Sequence, residues 1–161
     1  MKISVTYIAL ITSKEDNETM KDEKHFLGKI HQNAVITTKD RKVVLLVRDV
    51  GDPTMWQLPG GRLNEGEEPV DGFRRELREE LGIEVEVGSI FHTQQIWHIR
   101  EQRNNFLIVY EVFVESKDVK FILEPTEIAE VQWVTRETYK SVEMFDDTRT
   151  SLDVYFLLPL Q

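Results

Sequence analysis

The stretch GGRLNEGEEPVDGFRRELREELGI, from Gly60 to Ile83, decides how this chain folds. Two glycines open it, and acidic and basic side chains follow in mixed order up to Gly82. Proline suits the first turn of a helix, and glycine suits the position just after the last turn. The stretch therefore predicts a loop at residues 60–68 and a helix from Pro69 to Leu81.

The predicted helix has an apolar side and a charged side. At 3.6 residues per turn, four apolar residues fall on one side and predict a stripe that packs on a sheet; they are Val70, Phe73, Leu77 and Leu81. The residues expected to face solvent on the opposite side are Asp71, Arg74, Arg75 and Arg78. The helix should therefore cover one face of a sheet.

Three glutamates form a third strip beside the apolar one. Glu76 lies three and four residues before Glu79 and Glu80, and like charges at these spacings cost a helix roughly 0.2–0.5 kcal/mol each. A hard cation such as Mg²⁺ removes that cost, because it binds carboxylate oxygens. From the residues alone, a solvated acidic face and a metal site both stay open.

Glycines and one more acid extend this cluster. Gly72 costs the helix about 1 kcal/mol relative to alanine, and we interpret it as open space above the acids. Gly60 and Gly61 allow the backbone to come close to a ligand. Glu67 either caps the helix N-terminus, where negative charge is favoured, or joins the acid cluster.

Composition limits the function classes. The chain has 161 residues, a net charge of −9 and no cysteine. Its length suits one domain spanning 1–161, and the acidic balance argues against nucleic-acid binding. Without cysteine there is no disulfide or thiol chemistry. No apolar run reaches the ~20 residues that a membrane helix needs. We expect a cytoplasmic protein.

The remaining segments predict a mixed α/β (α+β) domain with a largely antiparallel sheet, since strands follow one another along the chain. A flexible loop is expected at 13–25. Predicted strands span 3–11, 33–38, 42–48, 83–99, 104–116 and 127–134, with a turn at 49–54. Further helices are predicted at 135–142 and 146–158.

The charged stretch resembles the Nudix hydrolase family (MutT-like). The family signature reads G-x5-E-x7-R-E-U-x-E-E-x-G-U, where U is aliphatic, and Gly61 to Ile83 match all nine specified positions. WQLPGG before the signature and EVQWV after it also resemble the family, so that the likeness spans about residues 30–158.

The resemblance implies an α/β/α sandwich in which the signature forms a loop–helix–loop catalytic motif. It implies Mg²⁺ as cofactor, with Mn²⁺ able to replace it. The implied metal ligands are Glu76, Glu79, Glu80 and the Gly60 carbonyl, with Glu67 bracing the loop or contacting a metal. Arg75 would orient the glutamates.

The sequence leaves two candidate positions for the general base. Family members use either the residue matching Glu76 or a glutamate in a later loop. The later candidates here are Glu124, Glu127 and Glu130, of which we favour Glu127 because it precedes the strand EIAEVQWV.

The substrate is predicted by elimination. Downstream markers of ADP-ribose, dinucleoside polyphosphate and NADH hydrolases are missing, which favours a nucleoside triphosphate with a normal or damaged base. An ADP-ribose or sugar-nucleotide pyrophosphatase is the alternative, followed by a non-catalytic nucleotide-sensing domain. Arg48, Arg62, Trp97 and Arg100 are the candidate substrate contacts, although Trp97 could instead be a core residue. The sequence leaves open whether the protein forms a homodimer.

Overall fold

A computed structural model describes residues 25–98 and 102–158. The strands are β1 (Lys29–Thr38), β2 (Val43–Asp49), β3 (Asp52–Gln57), β4 (Gly60–Arg62), β5 (Val87–His98), β6 (Arg103–Val114) and β7 (Ile128–Thr135). The helices are α1 (Pro69–Leu81) and α2 (Asp146–Leu157). A single 3-10 turn spans Tyr139–Ser141.

The strands form one mixed sheet in the order β3-β2-β1-β6-β5, with β4 added to β1 and β7 added to β2. Strands β1 and β6 run parallel, and the other described pairs are antiparallel. The predicted mixed, largely antiparallel sheet is confirmed, and the strands predicted at 33–38 and 42–48 are neighbours in it.

A helix packs on each face of the sheet. Successive strand residues point to opposite faces, so β1 gives Ala34 and Ile36 to one core and Val35 to the other. Helix α1 adds Phe73, Leu77 and Leu81 to the first core. Helix α2 adds Leu152, Tyr155 and Phe156 to the second. This is the expected α/β/α arrangement.

Several sequence predictions need correction. Val70 is 38% exposed, and the buried stripe of α1 begins one turn later, at Phe73. Strand β5 begins at Val87 rather than at residue 83, and the turn at 49–54 is short because β3 already begins at Asp52. The helix predicted at 135–142 is reduced to the 3-10 turn.

Other predictions fall on undescribed parts of the chain. The strand at 3–11 lies outside the described residues, as does the loop at 13–25 except for His25. Within the described ranges, no helix is both long and apolar enough to cross a membrane.

Candidate active site

The loop before α1 and the helix itself are joined through Glu80. The backbone N–H of Gly60 donates a hydrogen bond to Oε2 of Glu80 at 2.9 Å. Gly60 has a φ of +136°, a conformation that favours glycine, and it lies directly against the backbone of Gln32 in β1. The left-handed Gly82, with φ +65°, ends the helix as predicted. These contacts fix the buried carboxyl of Glu80 beside strand β4.

Gly61 leaves room for the carboxylate of Glu76. A Cβ atom on Gly61 would lie 2.2 Å from Oε2 of Glu76 and 2.3 Å from its Cδ. Such distances are far inside van der Waals contact. The close approach that the sequence suggested for this glycine is therefore an approach of its backbone to a side chain of α1.

Arg75 lies among the acids rather than facing solvent, which corrects the helix-wheel prediction. Its Nε and Nη2 donate to the two carboxylate oxygens of Glu67 at 2.8 and 3.1 Å. Its Nη1 donates to Oε1 of Glu76 at 2.8 Å and to Oε2 of Glu79 at 2.9 Å. Hydrogen bonds to Glu67 above all raise the pKa of Arg75 further above its usual value. One guanidinium thus orients three carboxylates.

Glu67 braces the loop and does not cap the helix. The N-cap residue is Glu68, without a side-chain cap hydrogen bond. Glu67 accepts from the backbone N–H of Asn64 at 3.2 Å as well as from Arg75. Its carboxylate also fills the space beside Gly72, where an added Cβ would lie 2.6 Å from Oε2 of Glu67. The interpretation of Gly72 as open space for a ligand is therefore wrong.

Burial and mutual repulsion shift the protonation of the acids. Burial raises the pKa of Glu80 to about 8, although the N–H of Gly60 opposes this, and the carboxylates of Glu76, Glu127 and Asp49 raise it further. Burial likewise raises the pKa of Glu76, opposed by Arg75. Buried carboxyl groups that lie beside other carboxylates are hard to ionise, because water solvates the charge poorly and the neighbouring charges repel it.

The chemistry of these residues fits a divalent metal. Their donors are carboxylate oxygens, which Mg²⁺ prefers, and a cation would stabilise the ionised carboxylates, whose pKa values are raised first by burial and further by repulsion. As the side chains stand, no three acids or histidines of the described ranges converge on one metal position. Arg75 engages one oxygen each of Glu76 and Glu79, which leaves each carboxylate a second oxygen for a metal.

The later glutamates differ in their surroundings. Glu127 is exposed, its carbonyl accepts from the N–H of Val50 at 2.8 Å, and its charge raises the pKa values of Glu76 and Glu80. Glu124 accepts from Thr126 within its own loop at 2.8 Å. Glu130 pairs with Arg48. Glu127 is therefore close enough to the acids of α1 to affect their protonation.

The candidate substrate contacts do not lie together in one place. The guanidinium of Arg48 lies 4.6 Å from the ring centroid of Trp56 and pairs with Glu130. Trp97 is 55% exposed, so the alternative interpretation of Trp97 as a core residue is wrong. Its neighbour Ile96 packs on the α2 side, so Trp97 faces the other side of β5. Arg62 lies opposite His31 in the sheet, and Arg100 lies outside the described residues.

The structure adds a polar cluster near the start of α2 that the sequence analysis did not find. The rings of His31 and His98 lie 6.2 Å apart, and Nδ2 of the fully buried Asn105 lies 3.2 Å from Nε2 of His31. Gln94 donates to the carbonyl of Asp147 at 3.0 Å. Burial raises the pKa of the Asp147 carboxyl, and His98 opposes the shift.

This polar cluster comes from four separate elements, β1, β5, β6 and α2. No spacing along the chain could have revealed it, although a polar Asn105 within an apolar strand was a weak signal. The N–H of Leu58 donates to Oγ1 of Thr148 at 3.3 Å and so joins the start of α2 to the segment that leads into Gly60. The polar cluster and the acids are therefore connected through one short segment.

Comparison with known proteins agrees with the fold and with the loop–helix segment described above. The family model of the NUDIX domain matches residues 29–154. A nucleoside triphosphatase, NudI, from Enterobacter sp. (strain 638) is 30% identical over 110 residues, which cover 60% of this chain and 73% of that protein. Nudix hydrolase 2 of Arabidopsis thaliana is 25% identical, and the match covers 78% of this chain but only 45% of that relative.

Solved structures share the fold. A MutT protein from Methanosarcina mazei is 25% identical with a TM-score of 0.66, covering 83% of this chain and 94% of that one. The dihydroneopterin triphosphate pyrophosphohydrolase of E. coli has a TM-score of 0.67 at 19% identity, covering 79% and 95% of the two chains. The second likeness supports the fold alone.

An α/β/α sandwich whose loop–helix segment gathers glutamates around one arginine defines a class of hydrolases that cleave phosphoric anhydride bonds. The chain belongs to the Nudix family and is a MutT-like Nudix pyrophosphohydrolase, which confirms the resemblance read from the sequence.

Proposed function

We propose that this protein is a Mg²⁺-dependent pyrophosphohydrolase that converts a nucleoside triphosphate and water into a nucleoside monophosphate and pyrophosphate. The single observation that carries the proposal is the buried carboxyl of Glu80, whose pKa is raised to about 8 beside Glu76 and Glu127. Acids held together in this way are stabilised by a divalent cation. Mn²⁺ would replace Mg²⁺, since both accept oxygen ligands.

The residues proposed to hold the metal are Glu76, Glu79, Glu80 and the carbonyl of Gly60. When bound, the metal would offset phosphate charge and lower the pKa of a water molecule. Arg75 would keep Glu67 and the other carboxylates in place through its hydrogen bonds. The loop–helix unit would thereby be preorganised before substrate arrives.

The proposed base is Glu127, with Glu76 as the alternative. A carboxylate would take a proton from the attacking water, the water oxygen would form a bond to one phosphorus, and the bridging P–O bond would break so that pyrophosphate leaves. Glu127 is exposed, whereas Glu76 already accepts a hydrogen bond from Arg75. The hydrogen bond from Arg75 occupies one carboxylate oxygen of Glu76, whereas the exposed carboxylate of Glu127 is accessible to water, which supports Glu127.

The proposed nucleoside site is the polar cluster near α2. The half-buried carboxyl group of Asp147 suits the amide and amine edges of a base, while the fully buried Asn105 lies behind it against His31. NudI, a relative named for nucleoside triphosphates, supports this substrate class. Arg48, Arg62, Trp97 and Arg100 stay predictions as substrate contacts, and Trp97 faces the side of β5 opposite to the polar cluster.

The deciding experiment is hydrolysis of a substrate panel by purified protein with Mg²⁺, Mn²⁺ or EDTA. The panel contains normal and oxidised nucleoside triphosphates, ADP-ribose and sugar nucleotides, and chromatography identifies the products. Metal-dependent release of pyrophosphate, lost in Glu80→Gln, is the expected result. Cleavage of ADP-ribose or a sugar nucleotide alone would replace the substrate with the alternative class. Tight nucleotide binding without turnover would favour a sensing domain.

A further inference from the structure

Strand β5 differs from the other described strands in charge. Its twelve residues, VGSIFHTQQIWH from Val87 to His98, contain no Asp, Glu, Lys or Arg. Each of the other described strands contains at least one of them. The whole chain is 30% charged and carries a net charge of −9. An uncharged stretch of this length at the surface is therefore a specific feature of this chain.

Strand β5 also lies at the edge of the sheet. Of the described strands, only β6 pairs with it. The pairing is irregular near Ile90 but regular from His92 to His98, where β5 residues face β6 residues one by one. Edge strands of monomeric proteins are usually protected by charges, prolines or bulges in the exposed part. The regular part of β5 has none of these, and no strand of the described residues pairs with its outer edge, so this edge can accept another strand.

One face of β5 is open as well. Thr93, Gln95 and Trp97 share the side of the sheet on which α1 packs, yet all three are exposed, with Trp97 at 55%. Ile90, at 52% exposure, extends this uncharged face. Helix α1 therefore does not cover β5, and among residues 25–98 and 102–158 this edge and its apolar flank lie at the surface.

The charge of the chain indicates what could pair there. Two copies that each carry −9 repel one another wherever their acidic surfaces meet, so an uncharged surface is where they can approach most closely. An antiparallel strand pair is two-fold symmetric and therefore self-complementary, which is what a dimer with a two-fold axis requires. A basic or acidic partner would find no charge to recognise on this strand.

We propose that β5 is the interface of a homodimer, in which two β5 strands pair antiparallel and join the two sheets into one. The two-fold axis passes near Gln95, the centre of the regular part from His92 to His98. The uncharged flank around Trp97 becomes covered by the same surface of the second copy. This interface is separate from the acids of α1; it shares strand β5 with the polar cluster, but its argument does not depend on the proposed function.

The absence of cysteine makes a direct test possible. In the full chain, Gln95→Cys places the two introduced thiols beside the axis, where paired strands bring Cα atoms within disulfide range. We expect a disulfide-linked dimer under mild oxidation. Gln132→Cys, an exposed glutamine on strand β7, is the matched control and should stay uncrosslinked.

Sedimentation equilibrium provides the independent measurement. The wild type should have a mass of about twice 18.9 kDa. Gln95→Lys places two positive charges together at the axis and should weaken the dimer at least about tenfold, or 1.4 kcal/mol, whereas Gln132→Lys should not. A monomeric wild type at its highest soluble concentration would overturn the proposal, whether or not another segment or protein covers β5. So would a dimer that neither Gln95 variant affects.

Discussion

Arg75 and Glu67 form a two-pronged ion pair between helix α1 and the loop that precedes it, with hydrogen bonds of 2.8 and 3.1 Å. The two residues are eight positions apart, and the same guanidinium also donates to Glu76 and Glu79. This one side chain therefore links the fold of the loop to the orientation of the acids, and its replacement should affect both.

Arg75→Lys should lower the free energy of unfolding by about 1–3 kcal/mol, because an ammonium cannot donate to Glu67 with two parallel bonds while also reaching Glu76. The rate of catalysis should fall as well. Chemical denaturation and kcat measurements check both effects.

Arg78→Lys is the matched control for this change. Arg78 is on the same helix and pairs with Glu84 at the surface, where both side chains are more than half exposed. Its replacement should change stability by no more than about 0.5 kcal/mol. Equal losses in the two variants would contradict the linking role of Arg75.

Gly61→Ala should reduce kcat at least about tenfold, which corresponds to 1.4 kcal/mol, while the protein stays folded. The added Cβ would lie 2.2 Å from Oε2 of Glu76 and must displace that carboxylate. Steady-state kinetics together with thermal unfolding measures the two effects separately. Gly66→Ala is the control: its φ of +76° strains the backbone, but an added Cβ meets nothing within 4 Å. It should cost about 1 kcal/mol of stability and leave kcat nearly unchanged.

The stability of the metal-free protein should fall as pH rises from about 5 to 8. Burial raises the pKa of folded Glu80 to about 8, from 4.5 in the unfolded chain. A raised pKa favours the protonated folded state, so this stabilisation is complete below the unfolded pKa and is lost as pH rises through the folded one. At 1.4 kcal/mol per pKa unit, the total change is about a few kcal/mol.

Thermal unfolding in EDTA across this pH range tests the prediction. Glu80→Gln mimics the protonated carboxyl and should show a weaker pH dependence than the wild type. Addition of Mg²⁺ should also weaken it, because a cation stabilises the ionised carboxylate. An identical slope in wild type and Glu80→Gln would show that Glu80 does not titrate in this window.

Asp147→Ala should raise KM for the nucleotide several-fold more than it lowers kcat. Asp147 is half-buried in the polar cluster and interacts with His98, while the acids of α1 lie elsewhere. Asp146→Ala is matched to it, since both residues lie in the first turn of α2 and favour its N-terminus, but Asp146 is exposed. Kinetics for both variants is the measurement, and equal KM values would argue against a nucleoside site at Asp147.

The sequence by itself determined the local features of the protein. The bounds of α1, its left-handed glycine end and the composition of the acid strip follow from residues 60–83, because helix signals act over a few neighbouring positions. The nine-position match to the Nudix signature identified the family, which the family model over 29–154 confirms. Strand order also predicted a largely antiparallel sheet.

Tertiary structure decided which groups meet. Arg75 was predicted to face solvent, but the fold of the preceding loop brings Glu67 next to it, and the same carboxylate fills the space beside Gly72. The cluster of His31, His98, Asn105 and Asp147 joins residues more than a hundred positions apart. Side-chain contacts between distant segments depend on sheet pairing and helix packing, which no local pattern of residues encodes.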